Sequence, residues 1–332
     1  MSKRAKECLQ SAQSVYLACH MIPDGDAIGS LLGLGMALRR LGKACTLACA
    51  DSVPAKYRFL ACADEIVSRP PTSEAVIVTV DSSDVERLGS LYDHATFQGR
   101  PVINIDHHVT NTRFGTINVV QLLPSTAEIV FSLVRGMAVT PDRNIATALL
   151  TGLVTDTRCF RTGNVTARQL RTTIALIGAG ASLADVTELV FNREPVSTIC
   201  LWGQALGNVQ TRGRMIWTEI DQSMMRRCRA TPMEGDGLSS FLASAETADA
   251  AVVFREKDDG QIEASMRAGP AWDVSGVAQS LGGGGHPRAA GCTLPGPMGS
   301  ARERVLRAIG AALDEQARQK PRAPAAAPIK GQ

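Results

Sequence analysis

The sequence has no CxxC pair; its nine cysteines are scattered singly or as "CTLAC". An odd count without a pairing framework reads as reduced thiols, mostly packing residues, rather than a disulfide-stapled secreted domain. No run reaches 18 apolar residues, and the basic start "MSKRAKECLQ" has no apolar signal core behind it. Neither a membrane span nor export is expected, and the cytoplasm is the expected location. A charge imbalance is nearly absent too, 35 Lys and Arg standing against 32 Asp and Glu for a net +3. So small an excess argues against gripping long nucleic acid mainly through its phosphates, though it suits a small anionic ligand. There is no internal repeat. The glycine run near the C-terminus lacks a GK[ST] ending, so Walker-type ATP chemistry has no support.

What is present is an ordinary globular composition, 45% apolar and 20% charged over 332 residues, enough for two domains with their own cores. Three short β-branched runs each end in a polar residue of ligand type: "SVYLACH" at His20, "AVIVTVD" at Asp81 and "VINID" at Asp106. Helical spacing intervenes, as in "AIGSLLGLGMALRRLG". This alternation predicts a parallel sheet with crossover helices, whose strand ends open onto a ligand crevice. "NIATALLTGLVTDT" predicts a helix that delivers Asp156, and "TARQLRTTIALIGAGASLADVTELVF" and "STICLWGQALGNV" read as further helices. From about Gly213 the pattern changes to strands, "RMIWTEI", "AAVVFRE" and "QIEASMR". The expected fold class is α/β: a catalytic parallel-sheet domain over 1–185, a helical connector over 186–212, and a smaller α+β domain over 213–316. The Pro/Ala stretch 317–332 is expected to be a disordered tail.

Only five histidines occur; four lie in polar or glycine-rich motifs, and His94 is the ordinary surface case. Imidazole mixed with carboxylate favours Mn, Fe, Co or Zn over Mg and Ca. His20, Asp24, Asp26, Asp81, His107 and Asp156 supply six such ligands and no thiolate. That number suits two metals sharing one carboxylate, a pair able to clamp the attacking and leaving oxygens of a phosphoryl displacement. Singly, each residue has a plainer explanation, as a solvated turn, a strand-end cap or a helix cap. Four separate segments ending in acid or imidazole make those explanations fail together.

"HMIPDGDAIGS", "VTVDSSD", "NIDHHVTNTRFG" and "LLTGLVTDT" resemble, in order, the four motifs of the DHH phosphoesterase superfamily. "GGGGHPRAAG" resembles the glycine-rich motif of the DHH-associated domain, and the spacing is similar to that of the short nanoRNase branch, oligoribonucleases that are also 3′-phosphoadenosine-5′-phosphate phosphatases. The resemblance implies two Mn²⁺ per active site, with Co²⁺ or Mg²⁺ as substitutes. His20 and Asp24 would hold one, Asp26, His107 and Asp156 the other, and Asp81 would bridge. It implies that His108 faces the scissile phosphate and that Asp106 orients the histidines, a role also expected because metal-bound imidazoles give their other N–H to a carboxylate. Water is the implied nucleophile, with Ser30, Ser82 and Ser83 as packing or capping residues. Asn111 and Arg113 are candidates to reach a substrate phosphate. In "TDTRCFRTGN", Arg158 and Cys159 depart from the family pattern of a glycine and a variable residue, which touches local backbone shape and substrate preference.

Gly283, Gly284 and Gly285 lie inside the second domain, between the amphipathic "WDVSGVAQSLG" and the apolar "AAGCTL". They are expected to expose backbone N–H groups as an anion nest, with His286 as a contact to a phosphate or base and Arg267 as a two-pronged phosphate contact. The implied activity is Mn²⁺-dependent hydrolysis of short oligoribonucleotides, dinucleotides best, with 3′-phosphoadenosine 5′-phosphate as a second substrate. The expected partners are short RNA or DNA oligonucleotides and nucleotides, no membrane is involved, and a homodimer is left open. One alternative is a phosphodiesterase for c-di-AMP or its linear product, whose relatives often carry N-terminal membrane segments where this chain begins with the catalytic domain. Another is a family II pyrophosphatase, disfavoured by GGGGH. A third is a catalytically silent nucleotide-binding regulator, disfavoured by the complete ligand set.

Overall fold

In the computed structural model, which describes residues 3–319, the chain forms two compact units that divide between Arg193 and Glu194. The first holds strands β1 (Ser14–Cys19), β2 (Ala44–Ala48), β3 (Val76–Val80), β4 (Val102–Asp106) and β5 (Ile117–Val120). Its helices are α1 (Lys3–Ser11), α2 (Gly25–Arg40), α3 (His94–Phe97), α4 (Thr126–Gly136), α5 (Arg143–Asp156), α6 (Ala167–Gly178) and α7 (Leu183–Phe191). The strands pair in the order β2-β1-β3-β4-β5, all parallel. β3 and β4 are buried at every position, which is why they read as unbroken apolar runs rather than alternating ones. One face is covered by α2, α4 and α5, the other by Leu88, Leu91 and Phe97 from the β3–β4 connection.

The strand order reverses between β1 and β3, and in such sheets the ligand crevice opens at the carboxyl ends of the strands flanking the reversal. There the register pairs Cys19 with Val80 and Val80 with Ile105. His20, Asp81 and Asp106 follow these residues directly and so stand in one row. α2 and α5 meet backbone to backbone: a Cβ added at Gly29 would lie 2.3 Å from the Ala148 carbonyl oxygen. Glycine alone permits that approach, and it brings the start of α2 and the end of α5 to the same crevice.

The second unit contains β6 (Gln210–Arg212), β7 (Met215–Ile220), β8 (Ala250–Glu256), β9 (Ile262–Ala268), β10 (Gly284–His286) and β11 (Ala289–Leu294). Around them are α8 (Val196–Gly207), α9 (Gln222–Cys228), α10 (Leu238–Leu242), α11 (Ser275–Ser280) and α12 (Met298–Gln319). The sheet order is β10-β11-β9-β8-β7-β6, with only β7 and β8 parallel. α12 packs on one face, and α8, α9 and α10 on the other.

Three expectations need correction. The connector over 186–212 does not stand alone, because α7 closes the first unit while α8 inserts Leu201 and Ala205 into the second core. Of the stretch expected to be a disordered tail, 317–319 are the last residues of α12; residues 320–332 lie outside the described residues. The thiols are not all reduced either: Cys200 on α8 and Cys228 on α9 form a disulfide, and the other seven cysteines are free. Among the described residues no single helix is long and apolar enough to cross a membrane.

Candidate metal centre

β1 ends one residue before His20 and β3 one residue before Asp81, while β4 ends on Asp106 with His107 and His108 behind it. α2 contributes Asp24, its N-cap, and Asp26 in its first turn; α5 contributes Asp156 as its last residue. These side chains converge. His20 Nε2 lies 3.8 Å from Asp24 Oδ1 and 3.6 Å from Asp81 Oδ2. His107 Nε2 lies 3.5 Å from Asp81 Oδ1 and 3.1 Å from Asp156 Oδ2. Ligands at about 2.1 Å from one octahedral ion stand roughly 3 Å apart, so these are separations close to those of groups that share a cation. Three donor groups result: His20–Asp24–Asp81, Asp26–His107–Asp156 and Asp81–His107–His108. Asp81 belongs to two of them and turns one oxygen to His20 and the other to His107.

So many acids packed together repel one another and hold on to protons. Burial, then the charges of Asp81 and Asp156, push Asp26 well above the usual carboxylate range, and burial raises Asp156 as well. Burial alone would lower His20 and His107, but the aspartates beside them outweigh it and hold both at about 10. The rings are anchored from behind: His20 Nδ1 is 2.8 Å from the Met21 carbonyl oxygen and His107 Nδ1 is 3.0 Å from that of Leu123. A proton on Nδ1 bonded there leaves Nε2 facing the acids.

The carboxylates are anchored too. Asp26 accepts the backbone N–H groups of Thr126 (2.6 Å) and Ala127 (2.9 Å) at the start of α4, and Thr126 Oγ1 donates to Asp81 Oδ1 at 2.9 Å. Thr126 thereby positions two acids at once. Sequence reasoning missed it. Its only local signal was the S-x-x-E pattern of Ser125 and Glu128, which marks a helix start without telling which acid that start will face. Arg87 was missed as well; its Nη2 lies 3.2 Å from His20 Nδ1, and nothing in "DVERLG" sets it apart from a surface arginine.

Other expected residues divide. Asp106 is fully buried and accepts from His108 Nδ1 at 2.8 Å and Asn111 Nδ2 at 2.6 Å. It orients His108 alone, because the His107 ring leaves the strand end toward Leu123; the expectation that it serves both histidines is corrected. Asn111 is committed internally: its amide nitrogen faces the Ser82 carbonyl, Asn104 Oδ1 and Asp106 Oδ2, and its own oxygen accepts Arg113 N–H. It pins the loop after β4, so its expected role as a phosphate contact is corrected. Arg113 is exposed, left-handed at φ 56°, and its side chain has no partner among the described residues. Just past Asp156, Arg158, Cys159 and Phe160 have φ of 47°, 57° and 63°, three successive L-residues in a region that costs each about 1–2 kcal/mol. The turn is closed by Cys159 N–H on the Val154 carbonyl (2.8 Å), Arg161 N–H on that of Thr157 (2.8 Å) and Phe160 N–H on Thr157 Oγ1 (3.1 Å).

In the second unit a cavity of about 510 Å³ is lined by Ser265, Arg267, Gly282, Gly283, Gly284 and Gly291 among others. Arg267 Nε donates to Ser240 Oγ at 3.1 Å. Gly285 and His286 do not line this cavity, and His286 is exposed on β10 opposite Ala289. A Cβ at Gly283 would lie 2.1 Å from the Gly291 carbonyl oxygen, and one at Gly285 2.5 Å from that of Ala289, whereas Gly284 meets open space. Close pairing with β11 demands glycine at 283 and 285, which corrects the expectation that all three glycines and His286 share one anion nest.

The DHH family, N-terminal domain, matches residues 14–153, and the DHHA1 domain matches residues 229–317. The bifunctional oligoribonuclease and PAP phosphatase NrnA of Thermus thermophilus is 36% identical over 305 residues, 89% of each chain. The protein of that name from Bacillus subtilis is 26% identical over 85% of this chain and 89% of its own. Among solved structures, an exopolyphosphatase-related protein of Bacteroides fragilis shares the fold with a TM-score of 0.88, at 21% identity over 96% of this chain and all of that one. The T. thermophilus RecJ in complex with Mn²⁺ shares it with a TM-score of 0.56, at 15% identity over 96% of this chain and 55% of that one.

Proposed function

The chain belongs to the DHH family, and from that membership we propose that it is a Mn²⁺-dependent phosphodiesterase hydrolysing short oligoribonucleotides, dinucleotides best, to mononucleotides. Removal of the 3′-phosphate from 3′-phosphoadenosine 5′-phosphate is its second activity in this reading. One observation carries the proposal: the two oxygens of Asp81 lie 3.6 Å from His20 Nε2 and 3.5 Å from His107 Nε2, so this carboxylate stands between two donor groups. The name of the T. thermophilus relative supports the substrates, and the net charge of only +3 supports short ones.

The donor set of imidazole and carboxylate without thiolate fits Mn²⁺, with Co²⁺ or Mg²⁺ as substitutes. His20 and Asp24 would hold one ion, Asp26, His107 and Asp156 the second, and Asp81 would serve both. Metal bound there would neutralise phosphate charge and lower the pKa of a water, so that hydroxide is available to attack phosphorus. His108 Nδ1 is bonded to Asp106, which leaves Nε2 for the substrate, and that bond raises the ring's pKa. The proton so retained on Nε2 is available to a phosphate oxygen or to the leaving group. Arg267, Gly283 and Gly284 offer the second unit's cavity to a nucleotide phosphate.

The test sets purified protein with Mn²⁺ against an RNA dinucleotide, an RNA of about 24 nucleotides, 3′-phosphoadenosine 5′-phosphate, c-di-AMP and pyrophosphate, beside Asp81→Ala. The dinucleotide is expected to turn over fastest and the variant to be inactive. Comparable turnover of the long RNA, or a preference for c-di-AMP, overturns the substrate; full activity of Asp81→Ala overturns the site.

A further inference from the structure

Among the described residues, the one run of consecutive left-handed L-residues lies just past Asp156 of the candidate metal centre. Arg158, Cys159 and Phe160 are consecutive and all left-handed, and they follow Asp156 by two to four positions. For two of the three, packing supplies the reason: Cys159 and Phe160 are half-buried against the core of the first unit, and Phe160 N–H is satisfied by Thr157 Oγ1. Arg158 has no such reason. It is exposed, contributes nothing to the core, and its side chain makes no hydrogen bond or ion pair among the described residues. This is so although Asp24, Asp26, Asp81 and Asp156 converge nearby on the same crevice. A left-handed position favours glycine or asparagine, so a β-carbon there is a cost that the fold itself does not recover. What the position gains is a guanidinium two residues from a candidate metal ligand, with no carboxylate partner among the described residues. The anion such a group matches in two-pronged geometry is a phosphate.

We propose that Arg158 is a substrate-contacting residue, its guanidinium taking a phosphate group of the nucleotide substrate beside the metal centre. The inference rests on the phosphodiesterase reading and adds to it a residue that sets affinity for phosphorylated ends. Strain at a functional site persists when the surrounding structure over-determines it, and here the Cys159 and Phe160 anchors do so. Arg158 then stands on a rigid turn rather than a mobile loop.

Arg158→Gly and Arg158→Lys test this with three readouts: thermal midpoint without metal, Mn²⁺ affinity by calorimetry, and KM and kcat on a 5′-phosphorylated RNA dinucleotide at saturating Mn²⁺. Glycine relieves the strain, so the midpoint is expected to rise by about 2 °C. Mn²⁺ affinity should be unchanged, while KM rises roughly tenfold or more with kcat nearly constant, as loss of a charge-assisted phosphate contact implies. Lysine should fall between, keeping the charge without the two-pronged geometry. A wild-type KM in Arg158→Gly overturns the proposal, because the arginine is then merely solvated. A lowered midpoint together with weakened Mn²⁺ binding overturns it too, because the side chain then supports the turn. If the wild type leaves the dinucleotide intact, it is the reaction that has been misread. The affinity of the Mn²⁺-loaded protein for AMP then decides: weaker binding by Arg158→Gly upholds the contact, and equal binding refutes it.

Discussion

A histidine that is to bind metal through Nε2 must first give up the proton it holds there. His20 and His107 hold theirs up to about pH 10, because Asp24, Asp81 and Asp156 surround them. A pKa raised by folding stabilises the metal-free protein fully below the usual value of about 6.5, and that stabilisation is lost as pH rises through about 10. A bound cation takes the place of those protons. Mn²⁺ binding near pH 7.5 is therefore expected to release protons, and Mn²⁺ affinity to climb as pH rises from about 6.5 toward 10. Titration calorimetry in two buffers of different protonation enthalpy counts the release; identical apparent enthalpies would mean that the ligands were already bare.

The start of α4 shows how an element can serve a site to which it contributes no metal ligand. Its first two N–H groups hold Asp26, and the Thr126 hydroxyl holds Asp81. Thr126→Val keeps the side-chain shape and the backbone bond but leaves Asp81 one donor short. Mn²⁺ affinity should fall roughly ten- to a hundredfold, the usual effect of losing a partner behind a ligand, while the thermal midpoint moves by only a few degrees. Manganese titration followed by electron paramagnetic resonance measures this, and an unchanged affinity would reduce Thr126 to a helix cap. The same element marks the limit of what the sequence discloses. β1, β3 and β4 were readable because each buried run stops at a ligand-type residue. β2, "ACTLA", and β5, "INVV", went unread: they are the two sheet edges, short and only partly buried, so no run of large apolar residues announces them. All six expected ligands meet, since strand ends and helix ends are local signals. Thr126 meets Asp26 and Arg87 approaches His20 across gaps of 100 and 67 positions, and Asn111 looked free for substrate because nothing in the sequence shows that it turns to Ser82, Asn104 and Asp106.

Two cores in one chain imply two stabilities. Cys200 and Cys228 are 28 positions apart and both lie in the second unit. Closing a loop of that size is worth roughly 3–4 kcal/mol in the chain-entropy account. Reduction should therefore lower the unfolding midpoint of the second unit by several degrees and leave Mn²⁺ affinity untouched, since every candidate ligand lies in the first. Scanning calorimetry of the metal-loaded protein with and without reductant separates the two, whereas one transition moving as a whole would show the cores melting together. The first unit's centre is built on a different timetable. Asp26 meets its partner N–H a hundred residues downstream, and closing loops of that length is slow compared with forming helices. The complete ligand cluster requires α2, β3 and α4 to have docked, because no single segment supplies all six donors. The ion is therefore expected to add to the stability of the assembled unit rather than to hasten its assembly.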